Sequence, residues 1–386
     1  MIGTMSSVMN NSTTAHKPSI LVIDDEAGPR DALKVILRPF FDIHSAESAQ
    51  AAIDVLKHQP VDLITLDQKL PDRQGMDLLQ EIKHDHADVE VIIITGYGSL
   101  KSAMEGIRHG AAGYLLKPFN VTELITLVNQ TLEKKRRLDY LRHFIHATAK
   151  LWGSETDCGQ AWEEMRAGYA GISGSGDSRA SVENETELLP LLSDLLEAKD
   201  RRLLNHCSRV SFYATLLANR MCLAAREQKS LALGAFLHDI GKIAEESYRV
   251  TDEEIFGTDP IPGQACHPEL GAKLIAPLGL PAEVGQIVAY HHERWDGTGY
   301  PHGLKGEGIP ILARIVALAQ TFDHLTAELP DRTGRSIDES CSFLSSHSGT
   351  RFDPTLTALF CRVVQECKDS LPAMAIATNS AGRSAS

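Results

Sequence analysis

The feature that most constrains the fold is a pair of adjacent histidines, His291 and His292, which opens the segment HHERWDGTGYP. Successive residues of a helix point roughly 100° apart around its axis. Two such histidines at a helix end are therefore expected to face two neighbouring metal ions rather than one. The sequence thus predicts a dinuclear metal site, and the rest of the chain is expected to supply its remaining ligands.

The composition is that of a folded protein whose main partner is not nucleic acid. The 386 residues suffice for two or three domains, and a hydrophobic content of 43% is normal for a chain with buried cores. With 51 acidic and 38 basic side chains the formal net charge is −13, which argues against nucleic acid as the main partner. The seven cysteines form no CxxC pair and are expected to be reduced thiols.

No segment of the sequence approaches the ~18 consecutive apolar residues of a membrane span, and the N-terminus lacks the apolar core of a signal peptide. We therefore expect a cytoplasmic protein with no membrane partner. Residues 1–17 and 371–386 are expected to be disordered tails, since they show no helical or strand period.

Residues 18–131 alternate apolar runs with amphipathic segments, which predicts an α/β domain with a doubly wound parallel sheet and helices on both faces. In such a fold, ligands bind at the carboxyl ends of the strands. The segments that carry this pattern are Ile20–Ile23, Arg30–Leu37, Val61–Leu66, Val89–Thr95 and Gly113–Leu116.

Polar residues stand where these strands end, namely Asp24, Asp25, Asp67, Thr95 and Lys117. Three carboxylates at one sheet edge would repel one another unless a hard divalent cation neutralised them, and oxygen ligands suit Mg²⁺. A carboxylate beside Mg²⁺, with a hydroxyl and an ammonium group nearby, can accept a phosphoryl group. A single aspartate often merely caps a loop, but the complete set in this order favours a phosphoacceptor site.

Residues 18–131 resemble the receiver domain of bacterial response regulators, and no core motif is missing. The resemblance implies Asp67 as the phosphorylation site and Asp24 and Asp25 as Mg²⁺ ligands. The phosphoryl donor would be a histidine kinase. The switch and phosphate-contacting residues that the resemblance implies are Thr95, Tyr114 and Lys117, with a cis peptide bond before Pro118.

Residues 132–187 are predicted to be a helical connector followed by a Gly/Ser-rich linker. The last receiver helix is expected to continue, because apolar residues recur at helical spacing at Leu138, Leu141, Ile145, Thr148 and Trp152. This seam either pairs two protomers into a homodimer or packs on its own chain, and barely two heptads leave both alternatives open. A flexible linker or insertion is predicted by Gly168, Gly171, Gly174 and Gly176.

Residues 188–370 are predicted to form an all-α domain, because apolar residues recur at helical spacing and few windows alternate with period two. A lone histidine on an apolar helix face is more often a core residue than a ligand, but a set of several changes that balance. In HDIGK, His238 stands beside Asp239, whose carboxylate can bridge two ions, and Lys242 can hold a phosphate oxygen. The metal-ligand candidates are His206, His238, Asp239, His267, His291 and His292.

This set resembles the HD superfamily of phosphohydrolases, and with Gly299-Tyr300-Pro301 it is similar to the HD-GYP subgroup, which hydrolyses cyclic di-GMP. The resemblance implies metal-assisted hydrolysis of a phosphodiester to linear pGpG and on to GMP. Asp239 would bridge two divalent transition metals. Iron and manganese are favoured, although zinc or nickel also suits such ligands. On one side the resemblance places His206 and His238, and on the other His267, His291 and His292.

The resemblance further implies roles for three residues outside the ligand set. Lys242 would stabilise the negative charge added during hydrolysis. Tyr300 lies in the loop that the family uses both at the site and for contact with GGDEF-domain partners, and Arg332 matches a basic substrate contact.

The chain departs from the family pattern at Gln320, where a further metal ligand is normally an aspartate. A glutamine oxygen is neutral and coordinates only weakly, and Asp323 on a nearby face is a candidate for partial compensation. Arg202 occupies the position at which members with a third metal have a glutamate. At most two ions are therefore expected. The other departures are Leu329 at a substrate-contacting arginine position and the segment AEES, residues 244–247, in place of GlyIleProAsp.

These observations leave several functional hypotheses. In the first, the protein is a cyclic di-GMP phosphodiesterase in which a phosphate on Asp67 rearranges Thr95 and Tyr114 and moves the connector helix. In the second, Gln320 marks a catalytically impaired domain that senses the dinucleotide or docks on GGDEF proteins. In the third, the domain is an HD phosphohydrolase that acts on a different cyclic dinucleotide or nucleotide.

Overall fold

The structure is a computed structural model that describes residues 17–96, 100–148, 158–172, 185–244, 267–328 and 333–368. The chain divides into two compact units, residues 1–137 and 138–386. The predicted tails, except for Lys17, lie outside the described residues. None of the described helices is both long enough and apolar enough to cross a membrane.

The first unit contains a five-stranded, wholly parallel sheet with the strand order β2-β1-β3-β4-β5, so the predicted doubly wound α/β fold is confirmed. Its strands are β1 (Ser19–Ile23), β2 (Asp42–Ala46), β3 (Leu63–Leu66), β4 (Glu90–Thr95) and β5 (Gly113–Leu116). Its helices are α1 (Ala27–Leu37), α2 (Ala49–His58), α3 (Gly75–Asp85), α4 (Leu100–Arg108) and α5 (Val121–Thr148), of which α5 continues into the second unit.

Burial on both faces of the sheet explains why the sequence reveals most of its strands. All residues of β1 and β3 are buried, and separate apolar clusters cover the two faces. A strand buried on both faces reads as a continuous apolar run. Strand β2 is not predicted from the sequence, because it lies at the sheet edge and only Ala46 is buried.

Helix α5 runs unbroken through the predicted boundary at residue 131 and carries the connector seam. Leu138, Leu141 and Ile145 are buried against residues of the same chain, including Trp162 and Leu191. Of the two alternatives for this seam, the structure supports packing on its own chain rather than pairing of two protomers. The side chain of Thr148 and the whole of Trp152 lie outside the described part of the chain.

Helix α6 (Cys158–Ile172) corrects part of the linker prediction, because Gly168 and Gly171 are helical. The hydroxyl of Tyr140 donates a hydrogen bond to the carbonyl oxygen of Met165 at 3.3 Å. A Cβ atom on Gly168 would lie 2.1 Å from that hydroxyl oxygen. Glycine here therefore permits close packing of two helices and does not mark a flexible segment.

The second unit is all helical within its described residues, as predicted. Helix α12 is central, because nearly all of its residues from Leu312 onward are buried, which is typical of a helix surrounded by others. A short 3₁₀ turn covers Ile240–Ala244. The helices are α7 (Glu185–Lys199), α8 (Arg201–Arg220), α9 (Ala225–Leu237), α10 (His267–Ile275), α11 (Ala282–Tyr290), α12 (Ile311–Thr326), α13 (Ile337–Ser346) and α14 (Pro354–Glu366).

Candidate functional site

The first candidate site lies at the carboxyl ends of β1 and β3. Asp24 and Asp25 follow β1 and Asp67 follows β3, and each offers a carboxylate oxygen within 4.8 Å of the others. The strand order places β1 and β3 side by side, so the edge between them is where a doubly wound sheet binds its ligand. Asp24 and Asp67 are buried and Asp25 is exposed. The structure thus brings together the three carboxylates that the sequence selects.

Lys117 completes this cluster from the end of β5. Its Nζ donates hydrogen bonds to Oδ2 of Asp24 at 2.6 Å and to Oδ2 of Asp67 at 2.7 Å. The peptide bond between Lys117 and Pro118 is cis, which confirms the prediction. Burial raises the pKa of Asp24 above its ordinary value, because Lys117 offsets the cost of burying the charge only in part.

The two predicted switch residues lie near this cluster but differ in their surroundings. Thr95 is fully buried at the end of β4, and its carbonyl oxygen accepts a hydrogen bond from the backbone N–H of Lys117 at 2.9 Å. Tyr114 is partly buried, and its hydroxyl lies 3.2 Å from Oγ of Ser102 on α4. The hydroxyl of Tyr114 thus links β5 to α4.

The second candidate site gathers five histidines and an aspartate at the ends and faces of four helices. Except for His206, each of these residues lies at or directly after the end of a helix. His206 lies within α8, His238 and Asp239 follow α9, His267 begins α10, and His291 and His292 follow α11.

Asp239 belongs to two groups of potential metal ligands at once. One group is His206, His238 and Asp239, and the other is Asp239 with His267, His291 and His292, with the ligand atoms of each group within 4.8 Å of one another. Oδ2 of Asp239 lies 3.7 Å from Nε2 of His206 and 3.5 Å from Nε2 of His238. Oδ1 lies 3.1 Å from Nε2 of His267 and 3.7 Å from Nε2 of His291. The two oxygens of a single carboxylate thus face two different groups.

The adjacent histidines do not diverge as the sequence analysis expects. The rings of His291 and His292 have centroids 4.3 Å apart, and both belong to the same four-residue group. The expectation that they face different ions is corrected for a local reason. Helix α11 ends at Tyr290 and His291 is its C-cap, so the regular rotation of a helix no longer applies to His292.

Hydrogen bonds at Nδ1 orient several of these imidazoles. Nδ1 of His238 donates to the carbonyl of Ala235 at 2.7 Å, and Nδ1 of His291 donates to the carbonyl of Val288 at 2.9 Å. Because a carbonyl only accepts, the proton of each neutral ring is on Nδ1 and a lone pair is on Nε2. Nε2 of His206, His238 and His292 is buried without a hydrogen bond to any described residue. Such nitrogens fit a divalent transition metal.

Burial also keeps these rings in the form that binds metal. Burial lowers the pKa of His238 to about 4 and holds the pKa of His291 and His292 well below the ordinary range, with neighbouring positive charges adding to the effect. Burial would raise the pKa of Asp239, but the charge of Lys242 and the neighbouring imidazoles outweigh it and hold that pKa well below its usual range. Neutral imidazoles around an ionised carboxylate are the ligand states that a metal requires.

Lys242 and Gly241 place the HDIGK segment against the cluster. Nζ of the buried Lys242 lies 2.9 Å from Oδ2 of Asp239. A Cβ atom on Gly241 would lie 2.0 Å from the carbonyl oxygen of His267, so only glycine lets this backbone approach a second ligand-bearing segment so closely.

Gln320 and Asp323 lie on α12 next to the cluster, and the structure separates their roles. Nε2 of Gln320 donates to the carbonyl oxygen of His291 at 3.2 Å. Oδ1 of Asp323 accepts from Nε of Arg209 at 2.6 Å, and Oδ2 accepts from Nδ1 of His206 at 2.7 Å. Both oxygens of Asp323 are therefore engaged by His206 and Arg209, and Asp323 belongs to neither group of potential metal ligands.

Two buried residues near the ligands were not selected from the sequence. Glu293, which directly follows the two histidines, accepts hydrogen bonds from the backbone N–H groups of His302 and Leu304 at 2.8 and 2.9 Å and so fixes the loop. His324 stacks on His206 with centroids 4.4 Å apart. The position of Glu293 inside the HHE triplet is a signal that could have identified it, whereas His324 has the pattern of an ordinary core residue.

Tyr300 is placed by the loop that Glu293 fixes. Its ring stacks on His292, with centroids 4.8 Å apart and an interplanar angle of 12°. A Cβ atom on Gly299 would lie 2.2 Å from the backbone nitrogen of Arg294, which explains the glycine before Tyr300. Arg332 and Leu329, as well as residues 245–247, lie outside the described residues, so their predicted roles stay predictions.

Comparison with known protein families and proteins agrees with this division. The family model of the response regulator receiver domain matches residues 20–129, and that of the HD domain matches residues 190–356. The chain is similar to a probable cyclic di-GMP phosphodiesterase of Vibrio cholerae, with 28% identity over 360 residues, covering 89% of this chain and 77% of the relative.

Two further relatives also match most of this chain. The cyclic di-GMP phosphodiesterase response regulator RpfG of Xanthomonas campestris is 26% identical over 344 residues, covering 87% of this chain and 85% of the relative. A cyclic di-GMP phosphodiesterase of Thermotoga maritima is 25% identical over 355 residues, covering 91% of this chain and 92% of the relative.

Proposed function

Because the chain belongs to the response regulators in which a receiver domain is joined to an HD domain, we propose that it is a metal-dependent phosphodiesterase that hydrolyses cyclic di-GMP to pGpG. The observation that carries the proposal is the position of Asp239 between two groups of imidazoles. Relatives that match most of this chain bear the name of this activity.

The ligand set fits two divalent cations, with Asp239 as the bridge. When bound, divalent cations supply Lewis acidity and make water a stronger acid. We propose iron or manganese, since a site rich in imidazole with one carboxylate suits these metals. His206 and His238 would hold one ion, and the remaining histidines, His267, His291 and His292, would hold the other.

The chain's own residues would orient the substrate and compensate its charge. Lys242, 2.9 Å from Asp239, would move its ammonium group toward a phosphate oxygen and stabilise the negative charge that develops there. Tyr300, stacked on His292, would form a wall of the site and also the contact with GGDEF-domain partners. Gln320 would contribute a neutral oxygen and keep its hydrogen bond to the carbonyl of His291. Arg332 would be a second basic contact to the substrate.

The receiver domain would control this activity. We propose that Asp67 accepts a phosphoryl group from a histidine kinase, with Mg²⁺ held by Asp24, Asp25 and Asp67. The phosphate would compete for Lys117, which donates to Asp24 and Asp67, and would draw the hydroxyl of Thr95 toward it. We also propose a cytoplasmic location, where the kinase and the nucleotide would be found.

The decisive experiment incubates the purified protein, with its native metals, with cyclic di-GMP and separates the products by chromatography. We expect pGpG to accumulate in proportion to the metal content measured by elemental analysis. Tight binding without turnover in the fully loaded protein would contradict the proposal and favour a sensor module.

The variant Gln320→Asp tests the departure from the family pattern. A carboxylate should bind a cation more strongly than an amide, so we expect higher metal occupancy and roughly 10-fold higher turnover. Gln320→Asn is the matched control, because it keeps a neutral amide. An unchanged or lower occupancy in Gln320→Asp would show that the glutamine oxygen is not a ligand.

The regulatory part is tested with a small-molecule phosphodonor. We expect the donor to change the turnover of the wild type, in either direction, and to leave that of Asp67→Asn unchanged. Equal rates for the wild type with and without the donor would contradict control by phosphorylation.

A further inference from the structure

One apolar cluster of the second unit contains both the connector and residues beside the candidate metal ligands. The members from the C-terminal part of α5 and from α6 are Leu138, Leu141, Phe144, Ile145, Trp162 and Met165. Three further members, Cys207, Leu237 and Ile240, each stand next to a candidate ligand in the sequence. The connector and the ligand-bearing segments therefore share one continuous core, and a change in the packing of α5 reaches these segments.

Within this core, Trp162 joins α6 to the end of α10 by a buried hydrogen bond. Its indole Nε1 donates to the carbonyl oxygen of Leu274 at 2.6 Å. Leu274 is the penultimate residue of α10, where the carbonyl groups of a helix lack the regular partner within the helix. A buried carbonyl left without a donor is costly, so this hydrogen bond holds the end of α10 in place.

The opposite end of α10 carries the candidate ligand His267, whose Nε2 lies 3.1 Å from Oδ1 of Asp239. At 1.5 Å per residue, Leu274 is roughly 10 Å along the helix from His267. Between them, Gly271 packs closely on α11, because a Cβ atom there would lie 2.8 Å from Cγ1 of Val288. A short helix of nine residues moves as one body, so a shift imposed at Leu274 also moves His267.

Helix α6 also contacts the connector helix α5. The hydroxyl of Tyr140 on α5 donates to the carbonyl oxygens of Glu164 and Met165 at 3.3 Å each. The ring of Tyr140 lies so close to α6 that a Cβ atom on Gly168 would be 2.4 Å from its Cζ. Trp162 precedes Met165 by three residues, so the two lie on the same side of α6. Helix α6 therefore contacts α5 through Tyr140 and α10 through Trp162.

We propose that Trp162 is a positioning residue that transmits a displacement of the connector helix to α10, and so to His267. The proposal rests on the proposed function and adds to it the route by which the receiver domain changes the metal site. A displacement of α5 moves α6 because Tyr140 packs on it, and the indole of Trp162 carries the shift to α10. His267 belongs to the ligand group with His291 and His292, so the route changes the geometry of that group.

The first experiment measures a response ratio in the metal-loaded full chain, defined as the turnover of cyclic di-GMP with acetyl phosphate divided by the turnover without it. Trp162→Phe keeps a buried ring and removes the N–H donor. We expect the departure of the ratio from 1 to fall roughly 10-fold in this variant, as the loss of one buried hydrogen bond allows. The control Leu344→Ala removes volume from a different apolar cluster, on α13, and should lower Tm while keeping the wild-type ratio.

Hydrogen exchange of the backbone amides follows the same route without any turnover. In the wild type, acetyl phosphate should change the exchange of α5, α6 and α10. In Trp162→Phe, the change should persist in α5 and α6 and be lost from α10. A merely structural role of Trp162 would instead alter the exchange of α10 equally with and without acetyl phosphate.

The outcomes separate this route from the proposed function. A full response ratio in Trp162→Phe, or a change in the exchange of α10 that persists in it, overturns the proposal, and so does a wild type whose α10 does not respond. If Trp162→Phe does not fold, Tyr140→Phe decides, because it loses the hydrogen bonds between α5 and α6 and should lower the ratio. If the wild type makes no pGpG, the proposed function fails, and the exchange of α10 in wild type and variant decides the route.

Discussion

The two candidate metal sites use different ligands in different surroundings. At the edge of the sheet, three carboxylates lie together with Lys117, and one of them, Asp25, is exposed. In the helical domain, five imidazoles surround a single carboxylate, Asp239, and the ligands other than His292 are buried. The first set offers hard oxygen atoms beside solvent, and the second offers mostly nitrogen atoms with fixed orientations.

The difference in ligand atoms and burial indicates which cation each site would hold and how firmly. Oxygen ligands near water suit Mg²⁺, which keeps several water molecules and leaves room for a phosphoryl group. Imidazoles oriented from behind, as His206 is by Asp323 and His238 by the carbonyl of Ala235, suit a transition metal that is retained through purification. A chelator should therefore remove Mg²⁺ faster than it removes the metals of the helical domain.

Among the variants that test the difference between the two sites, Asp239→Asn should have the largest effect. Both groups of the helical domain share this carboxylate, so we expect loss of both ions and a fall in turnover beyond the roughly 10- to 100-fold that the loss of an outer hydrogen-bond partner costs. Elemental analysis and the product assay measure the two effects. Asp67→Asn makes the same change at the sheet edge and should leave the transition-metal content as it is. Normal metal content in Asp239→Asn would refute the bridging role.

The variant Asp323→Asn tests whether the two ligand groups of the helical domain hold their ions separately. Its carboxylate orients His206 and pairs with Arg209, and an amide would leave that partly buried guanidinium without its countercharge. We expect the affinity for the ion beside His206 to fall roughly 10- to 100-fold, while the other group keeps its ion. Chelator titration followed by elemental analysis separates the two ions.

A matched control for this variant is Asp353→Asn, which breaks a similar pair with Arg314 that contains no candidate ligand and orients none of the histidines. It should lower thermal stability without changing metal affinity. Equal loss of both ions in Asp323→Asn would indicate a general weakening of the fold rather than an effect on His206.

The stability of the metal-free protein should depend on pH through the buried imidazoles. The pKa of His238 is about 4 in the fold, against about 6.5 in an unfolded chain, so its contribution is fully present above pH 6.5 and is lost as pH falls toward 4. For this one residue the loss amounts to roughly 3 kcal/mol below pH 4. Thermal denaturation of the metal-free helical domain within the full chain measures it, and His238→Gln should flatten the pH dependence. A pH-independent midpoint would show that the ring is not held neutral.

The smallest expected effect is a pair of Tm shifts of opposite sign when Asp24 or Asp239 is replaced by asparagine in the metal-free protein. The raised pKa of Asp24 means that its ionised form opposes folding at neutral pH, since a raised folded-state pKa contributes stability only at low pH. The lowered pKa of Asp239 means that its ionised form favours folding above about pH 4. We expect Asp24→Asn to raise the Tm of the receiver transition and Asp239→Asn to lower that of the helical domain, and shifts of the same sign would contradict this assignment.

Much of the candidate site follows from residue types and their positions in the chain. Asp24, Asp67 and Lys117 each stand at the end of an apolar run, and parallel strands bring their carboxyl ends to one edge. In the helical domain, the pairing of His238 with Asp239 marks the carboxylate that both groups of potential ligands share. The structure brings the members of each set together, because local patterns of burial already fix the sheet and the helices that carry them.

What the sequence does not decide depends on contacts between distant segments. Strand β2 is an edge strand without a buried run, and the seam at Leu138 and Leu141 suits a second protomer as well as its own chain. The positions of His324 and Glu293 likewise depend on which helix or loop lies opposite them. A periodic pattern records that a face is buried and leaves open what buries it.

The sequence by itself determined the two domain types, four of the five strands of the sheet and the set of candidate ligand residues, because these depend on periodicity and on side-chain chemistry. Only the tertiary structure decided that His291 and His292 join one group, that the carboxylate of Asp323 is engaged by His206 and Arg209, and that Glu293 accepts from the backbone of the following loop. The physical reason is that each of these depends on where a helix ends or which loops pair, and such choices are made by the packed chain as a whole.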